Sequence, residues 1–207
     1  MLRNAHLLRL NFGIFSLHTV QMAIFVVVPL ALIGAGGLPV GEHWKIYLPV
    51  VLGSFVLMVP VIFYAEKNAA IKPVFLASIA LMAVVQLGFV FFMQNFTALV
   101  ILLLGFFVAF NILEASLPSL VSRTAPASAK GAALGVYNTT QSLGLFVGGA
   151  AGGWLMQHYG QVPVFAFGAV LIVLWGIAAL GMSVPRRAPR RDAGTVGAAA
   201  LGDGVAR

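Results

Sequence analysis

The sequence has no cysteine and little charge. Of its 207 residues only 8% are charged, against about 25% in a soluble domain. The missing cysteine excludes a disulfide framework and a thiolate metal site. The low charge excludes a water-soluble core protein. Acid is scarcest of all: Glu42, Glu66, Glu114, Asp192 and Asp203 are the full set, too few to build a cation site, so neither metal nor cofactor is expected.

What the chain has instead is apolar length. It is 61% hydrophobic, gathered into six stretches at about 10–33, 45–64, 73–93, 96–121, 131–156 and 162–182. A helix needs about 20 residues to cross a hydrocarbon core of about 30 Å, and each stretch suffices. The expected fold is all-α and polytopic, with one membrane domain over 1–182. The basic residues then fall on one side. Arg3, Arg9, Lys67, Lys72, Arg123, Lys130, Arg186, Arg187, Arg190, Arg191 and Arg207 share a face, and only Lys45 lies opposite. Positive charge marks the cytoplasmic side, which predicts both termini inside. The net charge of +7 therefore meets anionic lipid headgroups, and no nucleic-acid partner is expected. MLRNAHLLRL opens a first span, because no small-residue cleavage site follows a short core.

The connections differ in kind. Residues 34–44 (GAGGLPVGEHW) form a Gly-rich outer loop with Trp44 at the membrane boundary. AEKNAAIK at 65–72 is a short charged inner loop, Gln94 and Asn95 a tight outer turn, SRTAPASAK at 122–130 the longest inner loop, and QHYGQ at 157–161 an outer return. From Ser183 the chain becomes RRAPRR and then Gly/Ala-rich; residues 183–207 read as a disordered cytoplasmic tail. Pro29, Pro49, Pro60 and Pro118 fall inside spans, where they either shape the bundle or act as hinges.

Polar residues inside the spans are costly and therefore informative. Span one holds Asn11, His18 and Gln21 on one stripe; span four holds Asn111 and Glu114; span five holds Asn138 and Gln141. A charge at a helix centre costs about 2.5–3.5 kcal/mol on insertion scales, so Glu114, the one acid within a span, is a functional candidate by default. His18 lies nine residues past Arg9 and Glu114 nine before Arg123, which at about 1.5 Å per residue places both roughly 13 Å from the inner face. Asn138 and Gln141 fall at similar depth. A polar layer in the cytoplasmic half is expected. In it Glu114 and His18, with Asn111 and Gln21, are candidates for transport or proton coupling, against a static hydrogen-bonding role. Asn138 and Gln141 read as cavity-lining or interhelical polar residues.

The fifth span carries the most specific pattern, KGAALGVYNTTQSLGLFVGGAAGGW. Gly135, Gly144, Gly148, Gly149, Gly152 and Gly153 read as helix-packing glycines, since glycines four apart allow another backbone to approach closely. The spacing resembles the glycine motif of major facilitator superfamily transporters, with Gly149 where that motif has Pro, as in the looser copy of a second half. Together with LRLNFGIFSLH at 8–18, GEHWKIYLP at 41–49 and FFVAFNILEASLPSLVSRTAP at 106–126, it resembles the second half of the YajR-type bacterial inner-membrane transporters of that superfamily. The likeness runs from about residue 7 to 182. It implies a twelve-helix carrier of two six-helix halves with a substrate site between them, of which this chain is helices seven to twelve, with spans one and four lining the cavity. Glu66 and Lys67 stand where the family has a charged inner-loop motif; the copy is degenerate, and they read as solvated loop charges. The small soluble C-terminal domain of YajR-type proteins leaves no trace in the tail.

Enzyme signatures are missing. No Gly-x-Ser-Gly stands in one span with a His buried in another, as a rhomboid-like protease needs, and His158 falls in a connection. DGVAR at 203–207 ends before the further Asp residues an alcohol phosphatidyltransferase requires. No P-loop or HExxH occurs. The expectation is a non-enzymatic half of a secondary transporter in the bacterial inner membrane. It would move a small organic solute, with proton-coupled efflux as the mode, and work with the lipid bilayer and either a missing N-terminal half or a second copy of itself. The alternative is a truncated or non-transporting membrane fragment that only packs with partner helices.

Overall fold

The structure, a computed structural model, describes residues 4–182; the tail reading for 183–207 lies outside the described residues. Six long helices follow one another: α1 Ala5–Gly36, α2 Trp44–Lys67, α3 Ile71–Phe92, α4 Phe96–Thr124, α5 Lys130–Tyr159 and α6 Gln161–Leu180, with single 3₁₀ turns at Val40–Glu42 and Ala127–Ala129. Each apolar stretch is a helix, and most run past the predicted limits; α1 does so between two capped ends. Asn4 starts α1 early, its Oδ1 accepting from the amides of His6 and Leu7 at 3.0 and 3.4 Å. Gly37 ends α1 in the left-handed region, φ +61°. Asn95, predicted as part of a turn, caps α4 by accepting from Ala98 N at 3.0 Å. The inner loop expected at 65–72 is shorter, since α2 continues to Lys67 and α3 begins at Ile71.

Five of these helices, α1 to α4 and α6, are long and apolar enough to cross a membrane. Six spans were expected; α5 is not one of the five, although it has 30 residues. Its hydropathy is diluted by glycine and by the run from Asn138 to Ser142.

α1 is the core helix. It packs on α5, α6 and α4, while α3 packs on α4 and α6, and α2 lies chiefly on α4. Leu10, Ile14, Leu17, Val20, Ile24 and Val27 of α1 are buried. Aromatic side chains fill the α3–α6 seam: Phe75 meets Trp175 edge-on at 5.8 Å and Phe89 stacks on Phe165 at 4.8 Å. The Trp175 indole lies over Gly13, where a Cβ would come within 2.6 Å of Nε1. α2 buries least and leaves Leu52, Phe55, Val56 and Phe63 exposed, an apolar surface suited to lipid or another helix.

The helix ends fix the alternation. The Arg9 guanidinium at the start of α1 donates to the Gly181 carbonyl past the end of α6, and Lys72 Nζ at the start of α3 donates to Leu180 O at 3.3 Å. Cations there complement the exposed carbonyls of a helix C-terminus. At the same face Arg123, ending α4, lies 3.7 Å from Glu66, ending α2. Glu66 is therefore exposed on a helix end beside a cation, where a free loop charge was expected. Lys45 lies at the opposite end and pairs with Glu42 at 2.9 Å.

Candidate functional site

Two helices bring the candidate charges together because their backbones touch. Gly144, Gly148 and Gly152 recur every four residues on α5 and meet Phe15, Thr19 and Ala23, which recur every four on α1. A Cβ at Gly144 would come within 2.6 Å of Phe15 O, and one at Gly152 within 2.8 Å of Ala23 Cα; at Gly148 it would overlap the Thr19 carbonyl. Thr19 Oγ1 donates to Gly144 O at 3.2 Å across the seam. The other three expected packing glycines do not take part. Gly135 and Gly153 have nothing within 4 Å of an added Cβ, and Gly149 meets only the Met22 methyl at 3.9 Å. They lie off the stripe, since each residue turns the helix by about 100°.

In that seam sits His18, 4% exposed, its Cβ 3.3 Å from where a Cβ at Gly144 would stand. Its Nδ1 lies 3.1 Å from Ile14 O. A carbonyl only accepts, so Nδ1 carries a hydrogen and donates. In the neutral ring Nε2 is then an acceptor, and the Gln141 carboxamide nitrogen donates to it at 2.7 Å. Glu114 Oε2 lies 3.6 Å from the same Nε2, too far for a hydrogen bond but close enough for an ion pair. That oxygen is buried with no hydrogen-bond partner among the described residues. Phe110, one turn before Glu114 on α4, sets its ring edge-on to the imidazole at 5.7 Å. Tyr137, one turn before Gln141 on α5, is buried, and its hydroxyl has no partner among the described residues. Three helices thus present an imidazole, a carboxyl, a carboxamide and a phenol to one another.

The remaining candidates separate. Asn111 does not join Glu114; its Nδ2 donates to Ser54 Oγ at 2.8 Å and ties α4 to α2, while Ser54 Oγ donates to Val51 O at 2.6 Å. Gln21 is half-buried and makes no hydrogen bond to the cluster among the described residues. Asn138 is exposed, and its carbonyl accepts from Ser142. Tyr137 and Ser54 were not singled out from the sequence. For Tyr137 a signal existed: it stands four residues before Gln141, hence on the same helical face. Ser54 is a small hydroxyl in an apolar run, a weaker mark.

Comparison with known proteins agrees with this architecture. Residues 10–202 match the family described as Major Facilitator Superfamily. The chain is 43% identical over 185 residues to the Inner membrane transport protein YajR of Escherichia coli (strain K12), covering 89% of this chain and 40% of that protein. It is 28% identical over 186 residues to an uncharacterized transporter of Buchnera aphidicola subsp. Baizongia pistaciae, covering 87% of this chain and 46% of the relative. A third relative, the uncharacterized transporter BU466 of Buchnera aphidicola subsp. Acyrthosiphon pisum, is 31% identical over 140 residues, 68% of this chain and 36% of its own length. The chain therefore spans less than half the length of the curated relatives it matches.

Proposed function

The chain belongs to the major facilitator superfamily, and from that premise we propose that it works as one six-helix half of a secondary carrier in the bacterial inner membrane. It exports a small organic solute in exchange for protons. The observation that carries the reading is the meeting of Glu114 with His18 at 3.6 Å inside the bundle. An acid inside a membrane bundle marks an ion or substrate pathway, and one placed beside a second titratable group has two environments to exchange. α5 is the sixth span in this reading, its polar run facing the interior and the missing half. Both termini are cytoplasmic, in keeping with the gathering of Arg9, Lys72 and Arg123 at one face.

A single half encloses no path, because alternating access rocks one half against the other around a shared site. The partner is an N-terminal half or a second copy. The open face of α5, where Gly135, Asn138, Ser142 and Phe146 are exposed, supports such a partner. The same face favours the second reading, a non-transporting fragment that only packs with other helices. The test uses the completed transporter, comparing Glu114→Gln with the parent. Loss of pH-driven flux with substrate binding retained is the expected result. Unchanged pH-driven flux removes Glu114 from the mechanism.

A further inference from the structure

Proton coupling, as proposed above, assigns work to Glu114 and His18 but none to Gln141. We propose that Gln141 is a positioning residue for the proton step. It holds the Nε2 lone pair of neutral His18, and a proton arriving at Nε2 exchanges this partner for Glu114. One atom thereby makes a polar contact from α1 to α5 in one protonation state and to α4 in the other.

The argument starts from the other ring nitrogen. Nδ1 is committed to Ile14 O, so the tautomer is set and every change of charge occurs at Nε2. Nε2 offers one lone pair or one hydrogen, never both. With the lone pair present, the Gln141 N–H at 2.7 Å takes it, and Glu114 Oε2 stays outside hydrogen-bond range at 3.6 Å, unpaired. A proton from the aqueous side uses that lone pair to form the Nε2–H bond. Two N–H groups then face each other across 2.7 Å, which is repulsive, and the Gln141 N–H must turn away. The new Nε2–H has one anionic acceptor nearby. An approach of about 0.8 Å brings Glu114 to the 2.7–2.9 Å of a charge-assisted bond. Four residues back on the same face, Tyr137 has a buried hydroxyl without a partner among the described residues.

Few other charges compete. α4 offers Glu114 at this level and Arg123 only near its end; α5 offers Tyr137, with Lys130 at its start and His158 and Tyr159 at its far end; α6 has no titratable residue. On α1 itself Arg9 and His6 lie more than two turns toward the N-terminus.

The experiment is ¹⁵N NMR of the purified, uniformly labelled chain in lipid nanodiscs, from about pH 8 to about pH 5, the range over which histidine ordinarily changes charge. His18 signals are assigned by their loss in His18→Asn. At the upper end the expected spectrum shows Nδ1 protonated, Nε2 bare, and a ¹⁵N–¹⁵N coupling across the hydrogen bond from the Gln141 carboxamide to Nε2. The coupling disappears as Nε2 gains its proton. At one fixed pH within the transition, Gln141→Leu enlarges the charged fraction of His18 and Glu114→Gln shrinks it. Gln141→Asn, one methylene shorter, behaves as Leu does. Substitutions that move the fraction in the same direction, or a Gln141 change that leaves the ring signals unaltered, overturn the exchange. So does absence of the coupling in the parent chain, a result that needs no variant to fold. Flux in the completed transporter separates the two proposals. Loss of pH-driven flux in Glu114→Gln without the NMR signature leaves the transport reading standing and removes the exchange.

Discussion

At the residue scale the six glycines of α5 divide into two groups with opposite expected behaviour. Gly148→Ala places a methyl against the Thr19 backbone, which cannot swing aside. Overpacking of this kind costs about 1–3 kcal/mol, and reversible unfolding in mixed micelles should show that loss. Gly135→Ala meets open space and gains up to about 1 kcal/mol of helix propensity, so the same assay should show no loss. The sequence made the stripe at Gly144, Gly148 and Gly152 legible, because a spacing of four defines a face. It could not exclude Gly135, Gly149 and Gly153, since a count of glycines carries no azimuth. The same limit governed the polar cluster. Residue counts from Arg9 and Arg123 set His18 and Glu114 at one depth. Whether two helices turn those faces toward each other depends on packing that no single helix encodes. Asn111 shows the reverse case: it shares a face with Glu114 by spacing, yet it reaches for Ser54 on α2.

At the element scale α2 is the loosely held helix. It rests on α4 through the Asn111–Ser54 hydrogen bond and the partly exposed Glu66–Arg123 pair. An exposed ion pair contributes about 0–1 kcal/mol, and an interhelical hydrogen bond within a membrane bundle averages about 0.6 kcal/mol. Ser54→Ala should therefore destabilise the bundle by less than about 1.7 kcal/mol, with a local signature. Amide exchange in detergent should quicken across α2 and stay unchanged in α1, whose core face is buried from Leu7 to Leu32. Helix existence was legible throughout, because apolar length alone demands an internally hydrogen-bonded segment. Helix ends were less so. Asn4 and Asn95 extend or start helices through side-chain bonds to amides, a local effect that hydropathy does not register. α5 reads as a span from apolar length like the other five, yet its glycines and the polar run from Asn138 to Ser142 dilute its hydropathy, and it is not among the five helices apolar enough to cross.

At the scale of the whole molecule, the one-sided distribution of Lys and Arg predicts the orientation. Reporter fusions after Gly41, Gln94 and His158 should score external, and fusions after Lys67, Ala127 and Arg191 internal; an external score after Arg191 overturns the arrangement. The purified chain in liposomes should show no saturable, gradient-driven flux until an N-terminal half or a second copy is added, and robust flux from demonstrated monomers would contradict the half-carrier reading. Alternation of the helices was legible from charge, but the clasp of Arg9 and Lys72 on the end of α6 was not, because it joins segments far apart in the chain. The glycine seam has a mechanical consequence for this whole. Where backbones touch, no rotamer can alter the spacing, so α1 and α5 form a stiff pair whose separation is constant. α4 meets α1 at this level through side chains alone, through Phe110, Glu114 and His18. The adjustable dimension of the bundle is therefore the gap between α4 and that pair, and the two titratable groups stand on its opposite banks.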